Sequence, residues 1–213
     1  MTERMLDVIG KHFPLAELPC GEYAKMKVSG MTFRIRRFHA EGLGPVSEMV
    51  ASGFFGLMKM DTLIINPTEI DLPLYSYDRI FAMGNDTLIV ELYDTLVGDY
   101  SEDGMISVKK KFASLPERDP GEHWYDSIKL TSSISKKGKK ISGQLDEMTL
   151  EHFKSYIASS SAPVEDGKSK KDMAAVYVNG LLEKGGPSTD VFKKELGVEK
   201  TTKLFREILF GIA

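Results

Sequence analysis

Residues 70 to 81, IDLPLYSYDRIF, form the most informative segment of the sequence. Their alternation predicts a β-strand that places Leu74, Asp78 and Ile80 on the same face. A carboxylate between apolar side chains has two explanations. Either Asp78 donates a proton in a buried site, or its charge is satisfied by backbone N–H groups or by an arginine such as Arg79.

Strand patterns lie on both sides of this segment. DTLIIN precedes it and TLIVELYDT follows it, with turn signals at Asn66-Pro67 and at Gly84-Asn85-Asp86. Closer to the N-terminus, AKMKV and MTFRIRRF alternate around Ser29-Gly30, which predicts a hairpin. Consecutive strands joined by short turns indicate an antiparallel sheet.

Helical patterns flank the strands. Residues 3–13 predict a short amphipathic helix, and residues 46–53 predict a helix that breaks near Gly53. Helical periodicity returns at Asp146 and continues through MAAVYVNGLLEK, TDVFKKEL and a last helix, whereas residues 124–131 are compatible with one more strand. This order predicts an α+β fold, most simply a sheet covered by helices, with residues 1–213 in one domain.

Composition and charge limit the class of protein. Hydrophobic residues make up 42% and charged residues 28%, as in a soluble globular protein, and the formal net charge of -3 argues against a general nucleic-acid binder. Cys20 is the single cysteine, which fits a reducing compartment. Residues 1–13 mix acids with bases and lack the apolar core typical of a signal peptide, and no apolar run approaches roughly 18 residues. We expect a cytoplasmic protein without membrane or nucleic-acid partners.

The absence of the common catalytic motifs leaves acid–base chemistry by carboxylates as the type of catalysis to consider. No nucleotide-cradling or common hydrolase motif occurs, and the four histidines are scattered, so we predict no metal site. Burial of Asp78 would raise its pKa, which suits a general acid. Glu48 and Asp61 are further catalytic candidates, although such residues more often face solvent or begin a strand. Glu91 fits a surface position of an alternating strand.

Two groups of cations have functional and structural explanations. Arg34 and Arg36 share one face of FRIRRF and present two guanidinium groups to carboxylates such as propionates, or else they are solvated. Lysines cluster at residues 109–111, 136–140 and 168–171. Such clusters indicate solvated loops or, alternatively, a basic rim that speeds association with an acidic electron carrier.

The segment DLPLYSYD, with a strand and Pro67 before it and a glycine turn and strand after it, resembles the ferredoxin-dependent bilin reductases. Those enzymes carry a Leu-Pro-apolar-aromatic-x-x-Asp element whose aspartate protonates the bound tetrapyrrole, and Asp78 matches that aspartate. Glu48 lies at about the distance of an active-site glutamate that the family shares with the red chlorophyll catabolite reductases. Trp124 in HWYDSI looks like the family's tryptophan, and VFKKELGVEKTTKLFREILFG is similar to its closing helices.

The resemblance implies a three-layer α/β/α sandwich with a central antiparallel sheet. It also implies an oxidoreductase that reduces an open-chain tetrapyrrole with electrons from ferredoxin or a similar carrier, without a bound cofactor. In this scheme Asp78 protonates the substrate, and Glu48 supplies or relays a second proton. The substrate is held by side chains that include Arg34, Arg36 and Trp124.

Two departures from the family pattern support other hypotheses. Where phycocyanobilin-forming members use a histidine, this chain has Asp61 or Thr62, depending on the gap, and where many members carry a C-terminal aspartate the nearest residue is Gly186. Both losses favour a tetrapyrrole-binding protein that lacks the reaction. A third hypothesis is an interaction domain without a tetrapyrrole, in which Asp78 and Glu48 are structural.

Overall fold

The computed structural model describes residues 1–159, 162–164, 167–186 and 188–212. Within these residues, eight strands form one antiparallel sheet. The strands are β1 (Leu15–Leu18), β2 (Lys25–Val28), β3 (Met31–Ala40), β4 (Gly44–Gly53), β5 (Met58–Ile65), β6 (Leu74–Ala82), β7 (Asn85–Tyr93) and β8 (Ile134–Gly138). Their order is β1, β3, β4, β5, β6, β7, β8, and β2 pairs with β3 beside β1.

The central strands β3 to β7 follow one another in space as in sequence. Short turns join β3 to β4, β4 to β5 and β6 to β7, and a longer loop, residues 66–73, joins β5 to β6. The predicted hairpin between β2 and β3 is confirmed. Its turn residues Ser29 and Gly30 have φ angles of 47° and 78°, and a two-residue hairpin turn of this hand needs positive φ at both positions.

The prediction of a helix from Val46 to Gly53 is wrong, because this segment is β4. All ten of its residues pair with β3, and eight of them pair with β5. The four residues from Val46 to Met49 are buried in succession, since helices cover the sheet on both faces. A strand buried on both faces loses the polar–apolar alternation, and its apolar residues then imitate a helical period.

Helices form a layer on each face of the sheet. They are α1 (Thr2–Gly10), α2 (Asp103–Lys111), α3 (Ser142–Ile157), α4 (Gly167–Lys184), α5 (Thr189–Leu196) and α6 (Val198–Lys203), followed by a π-helical segment (Leu204–Leu209). One core lies under α1, α2 and α3, and a second lies under α4, α5 and the C-terminal segments. The three-layer α+β sandwich is therefore confirmed. No helix in the described ranges is long and apolar enough to cross a membrane.

Two local predictions differ from the structure. Residues 124–131 form a 3-10 turn, Asp126–Ile128, within a loop, and a single bridge between Tyr93 and Lys129 replaces the predicted strand. Helix α2 has no counterpart among the predicted elements, because its buried hydrophobic residues are only Met105 and Val108. Two apolar positions are too few for a detectable helical period.

A buried ion pair joins α4 to the loop that leads into β6. The fully buried ammonium of Lys170 donates hydrogen bonds to Asp71 at 2.9 Å and to the carbonyl of Leu72 at 2.7 Å. The same carboxylate accepts bonds from the backbone N–H groups of Val97 and Gly98. Burial lowers the pKa of Lys170, and the hydrogen bond and charge of Asp71 oppose this effect. The pair thus fixes the start of β6 against the C-terminal layer.

We predict that Lys170→Met lowers the free energy of unfolding by about 3–5 kcal/mol, because it leaves the charge of Asp71 buried without its cation. Urea unfolding of the purified variant measures this loss. The double variant Lys170→Met/Asp71→Asn is the control, and it should lose less stability than the single variant. A loss below about 1 kcal/mol in Lys170→Met would contradict a stabilising role for the pair.

Candidate active site

A cleft of about 380 Å³ lies between the sheet and the C-terminal helices. Apolar side chains dominate its lining, among them Phe33, Met49, Met60, Tyr177 and Leu209. They come from β3, β4 and β5 on one side and from α4 and the π-helical segment on the other. The volume lies in the range of small-molecule sites, and an apolar wall with few polar groups is typical of them.

Asp78 projects into this cleft from the middle of β6. Thr62, its partner residue on β5, donates a hydrogen bond from Oγ1 to Oδ1 of Asp78 at 2.5 Å. In the part of the chain that the structure describes, Asp78 forms no ion pair. The alternative in which Arg79 neutralises it is wrong, since Arg79 lies on the other face and pairs with Asp86.

The surroundings of Asp78 favour its neutral form. Burial raises its pKa from 3.8 to about 6, the hydrogen bond from Thr62 opposes this rise, and the negative charge of Glu91 adds to it. Burial is the largest of these effects. A carboxyl group with a pKa near 6 can both hold and release a proton close to neutral pH, as a general acid must.

Glu91 is the second carboxylate of the cleft. It lies on β7 opposite Ser76, which places it diagonally next to Asp78 on the same face. The hydroxyl of Tyr93 donates a hydrogen bond to Glu91 at 2.6 Å, and Lys129 lies 3.8 Å from it. Glu91 also borders a neighbouring cavity of about 310 Å³ near β8. It therefore stands between the cleft and this second cavity.

The loop before β8 closes one side of the cleft. It brings Arg118, His123 and Tyr125 to the lining. The His123 ring stacks on Tyr125, with centroids 4.9 Å apart, and its buried Nδ1 has no hydrogen-bond partner among the described residues. Arg118 donates a hydrogen bond to Ser135 at 3.3 Å and borders both cavities. This loop supplies the cleft with a guanidinium group and an imidazole.

The structure does not bring the predicted carboxylates Glu48 and Asp61 to Asp78. The row of residues paired with Asp78 contains Thr62 and Met49, so Glu48 and Asp61 project to the opposite face. There Glu48 is buried and accepts a hydrogen bond from Arg36 at 2.7 Å. Oδ2 of Asp61 lies 3.7 Å from the N-terminal ammonium group of Met1, the residue before α1.

The predicted substrate-binding arginines lie on this opposite face as well. Arg36 is the cross-strand partner of Glu48 and also pairs with Glu3 of α1 at 2.5 Å. Arg34 lies two residues before Arg36 on the same face and is exposed. Neither lines the cleft that contains Asp78.

Trp124 holds the wall of the cleft in place without lining it. Its indole N–H donates a hydrogen bond to the carbonyl of Gly185 at 3.0 Å, and its ring packs on Gly180 of α4. A Cβ atom at Gly180 would overlap the indole ring. Trp124 therefore fixes the spacing between α4 and the loop, whereas its neighbours His123 and Tyr125 reach the cleft.

Sequence reasoning misses Glu91, Arg118 and His123 as members of the site. Alternation places Glu91 on the same face as Ile89, and this face could have indicated its position relative to Asp78. Arg118 and His123 lie in a loop, where no periodic signal exists. Among the described residues, no group of three or more histidine, cysteine or acidic side chains could hold a metal ion.

The antiparallel sheet between two helical layers has the fold of the bilin reductases. A solved structure of phytochromobilin synthase from tomato, in complex with biliverdin, matches with a TM-score of 0.77 over 99% of this chain and 81% of that chain. The sequence identity is 14%, so the similarity shows a shared fold. No protein-family model matches the sequence, and no curated protein matches it either.

We predict that the Asp78 carboxyl group titrates with a pKa of about 6, because desolvation in the cleft disfavours its charged form, whereas the pKa of Asp86 lies below its ordinary value. Burial also opposes ionisation of Asp86, but hydrogen bonds from Arg79 and Ser142 outweigh that effect. Carbon-13 NMR of labelled aspartate measures both midpoints. Since the folded protein holds the proton of Asp78 more tightly than the unfolded chain does, this contribution to stability is complete below about pH 4 and is lost as the pH rises through about 6.

Two variants control for the cause of this shift. Glu91→Gln should lower the midpoint of Asp78, because it removes a nearby negative charge, and Thr62→Val should raise it, because it removes the hydrogen bond to the carboxylate. An Asp78 midpoint near 4 in the unaltered protein would show that water solvates the carboxylate.

Proposed function

We propose that this protein is an oxidoreductase that reduces an open-chain tetrapyrrole with electrons from ferredoxin or a similar external carrier. The observation that carries this proposal is Asp78, a carboxyl group with a pKa near 6 that no cation neutralises among the described residues and that faces an apolar cleft. A protein with this fold has been solved in complex with biliverdin, which supports a linear tetrapyrrole as the ligand of the cleft.

Asp78 would act as the proton donor to the bound substrate. Reduction of one double bond consumes two electrons and two protons, and single-electron transfer from the carrier leaves a radical that protonation stabilises. An acid with a pKa close to the working pH transfers such a proton with little loss of driving force. The hydrogen bond from Thr62 holds the carboxyl group on the cleft side of β6.

Glu91 replaces Glu48 in this proposal as the carboxylate that relays the second proton from water to the substrate. Glu91 shares the cleft with Asp78, whereas Glu48 faces the other core. The neighbouring cavity also reaches Glu91, so water there can return protons to it. Arg118 takes the role first assigned to Arg34 and Arg36, because its guanidinium group can pair with a propionate at the edge of the cleft.

One observation favours a second candidate, a protein that binds a tetrapyrrole without reducing it. Thr62 lies directly opposite Asp78 and shares its face, whereas Asp61 projects to the other face. Of the two positions that the resemblance leaves open for a histidine, the one that faces the cleft beside Asp78 is therefore Thr62. A threonine hydroxyl does not titrate near neutral pH, so Asp78 lacks an imidazole partner at this position.

Asp78→Asn tests the proposal. In an anaerobic absorbance titration, biliverdin should bind the unaltered protein with a saturable spectral shift, and reduced ferredoxin should then bleach or move the bands. Asn keeps the shape of the side chain but has no transferable proton, so we expect the affinity to stay within about threefold and kcat to fall by roughly 10²–10⁴-fold.

Asp61→Asn is the matched control, since it makes the same chemical change on the opposite face of the sheet. Its turnover should equal that of the unaltered protein. Equal turnover in Asp78→Asn would remove the proposed role of Asp78. A spectral shift without any change on addition of reduced ferredoxin would favour the binding protein, and the absence of a shift would contradict both functions.

A further inference from the structure

Three turns lie together at one end of the sheet. The β2–β3 turn contains Ser29 and Gly30, and β3 begins opposite the end of β4. Residues 54–57 join β4 to β5, and Met83 and Gly84 join β6 to β7. Since Met58 pairs with Ala82, the second and third turns are neighbours. We call this set of turns the hairpin end.

The hairpin end exposes large apolar side chains. Phe55 is fully exposed, and Phe54, Leu57 and Met83 are 54%, 66% and 88% exposed. Contiguous exposed groups of this size usually mark an interaction surface. Phe54, Phe55 and Met83 also have φ angles of 52°, 56° and 51°, a region that favours glycine or asparagine. Turn geometry therefore does not explain these bulky residues.

Lysines surround the apolar side chains of the hairpin end. Lys27 and Lys59 lie on one row across the sheet, which runs through Thr32 and Ser52. Lys139 and Lys140 follow the end of β8 beside the β6–β7 turn. All four lysines are exposed, and none forms an ion pair within the described ranges.

The acidic groups near this end do not cancel its positive charge. Asp86 is buried and pairs with Arg79. Glu195 is exposed, and it lies next to the β2–β3 turn because it accepts a hydrogen bond from the hydroxyl of Ser29 at 3.2 Å. Four exposed lysines therefore outnumber one exposed carboxylate among the residues described for this end.

We propose that the hairpin end docks on the surface of an anionic phospholipid bilayer. Apolar side chains that protrude from neighbouring turns can insert between lipid headgroups. Lysines next to the inserted groups attract anionic headgroups. Docking of this kind needs no spanning helix, and it therefore agrees with the absence of one in the described chain.

This surface is independent of the proposed reaction but lies beside its cleft. Val28, Ser29 and Met58 line the cleft and also flank the hairpin end. Contact with a bilayer would bring this part of the cleft close to the lipid surface. An apolar or amphiphilic ligand dissolved in the membrane would then have a short path to the protein.

Sedimentation with vesicles tests the proposal on the full chain. One set of vesicles contains phosphatidylcholine, and the other contains phosphatidylcholine and phosphatidylserine in a ratio of about three to one. We expect binding to the anionic vesicles. Salt at 0.5 M should abolish most of this binding, because it shortens the Debye length to roughly 4 Å and so screens the lysines from the headgroups. Lys139→Gln/Lys140→Gln should weaken binding by about 25-fold, since each lysine contributes roughly a factor of five.

The apolar contribution has its own variant and matched controls. Phe55→Ser/Met83→Ser should weaken binding by at least about tenfold, because two inserted side chains are lost. Lys11→Gln/Lys154→Gln and Val176→Ser change exposed residues away from the hairpin end and should bind as the unaltered protein does. Circular dichroism and urea unfolding check that every variant is folded.

Two outcomes would overturn the proposal. If the unaltered protein fails to bind anionic vesicles, the hairpin end has no affinity for a lipid surface, and an acidic protein becomes the better partner. If the hairpin variants and the controls bind vesicles equally well, another surface contacts the bilayer. Neither result depends on whether biliverdin is reduced, because the assay contains no tetrapyrrole.

Discussion

Successive side chains of a β-strand project to opposite faces, and in this protein both faces of the sheet are covered by helices. This constraint divides the polar groups of β6 between two separate layers. Asp78 faces the cleft, whereas Tyr77 and Arg79 point to the other core, where Arg79 is held by Asp86. Because alternation places the guanidinium group on the opposite face, burial remains the dominant influence on the acidity of Asp78.

The sequence is sufficient to predict most strands and the face on which Asp78 lies. Burial alternates along β6, where Tyr75, Tyr77 and Arg79 are buried and the residues between them are only partly buried. The alternation fails in β4, where four consecutive residues are buried. Register is also beyond the sequence, and a shift of one residue exchanges the faces of a strand. Met49, not Glu48, lies in the row of Asp78, and only the observed pairing of β4 with β5 reveals this.

Clusters of lysine look alike in sequence, yet the fold assigns their members different roles. Lys136 is buried and pairs with Glu117, whereas Lys139 and Lys140 remain exposed. Lys170 is buried against Asp71, 99 residues earlier in the chain. Sequence patterns report the density of charge, but the depth of each ammonium group depends on contacts between distant segments. The same limit hides Glu91, whose surroundings come from the loop before β8.

The packing of Trp124 on Gly180 has a consequence for sequence divergence. The indole ring occupies the space of a Cβ atom at position 180, so α4 approaches the loop more closely than any larger residue there would permit. A substitution at one position therefore changes which residues are acceptable at the other. Among homologues that keep this wall of the cleft, positions 124 and 180 should vary together: a small residue opposite an indole, or a larger residue opposite a smaller ring.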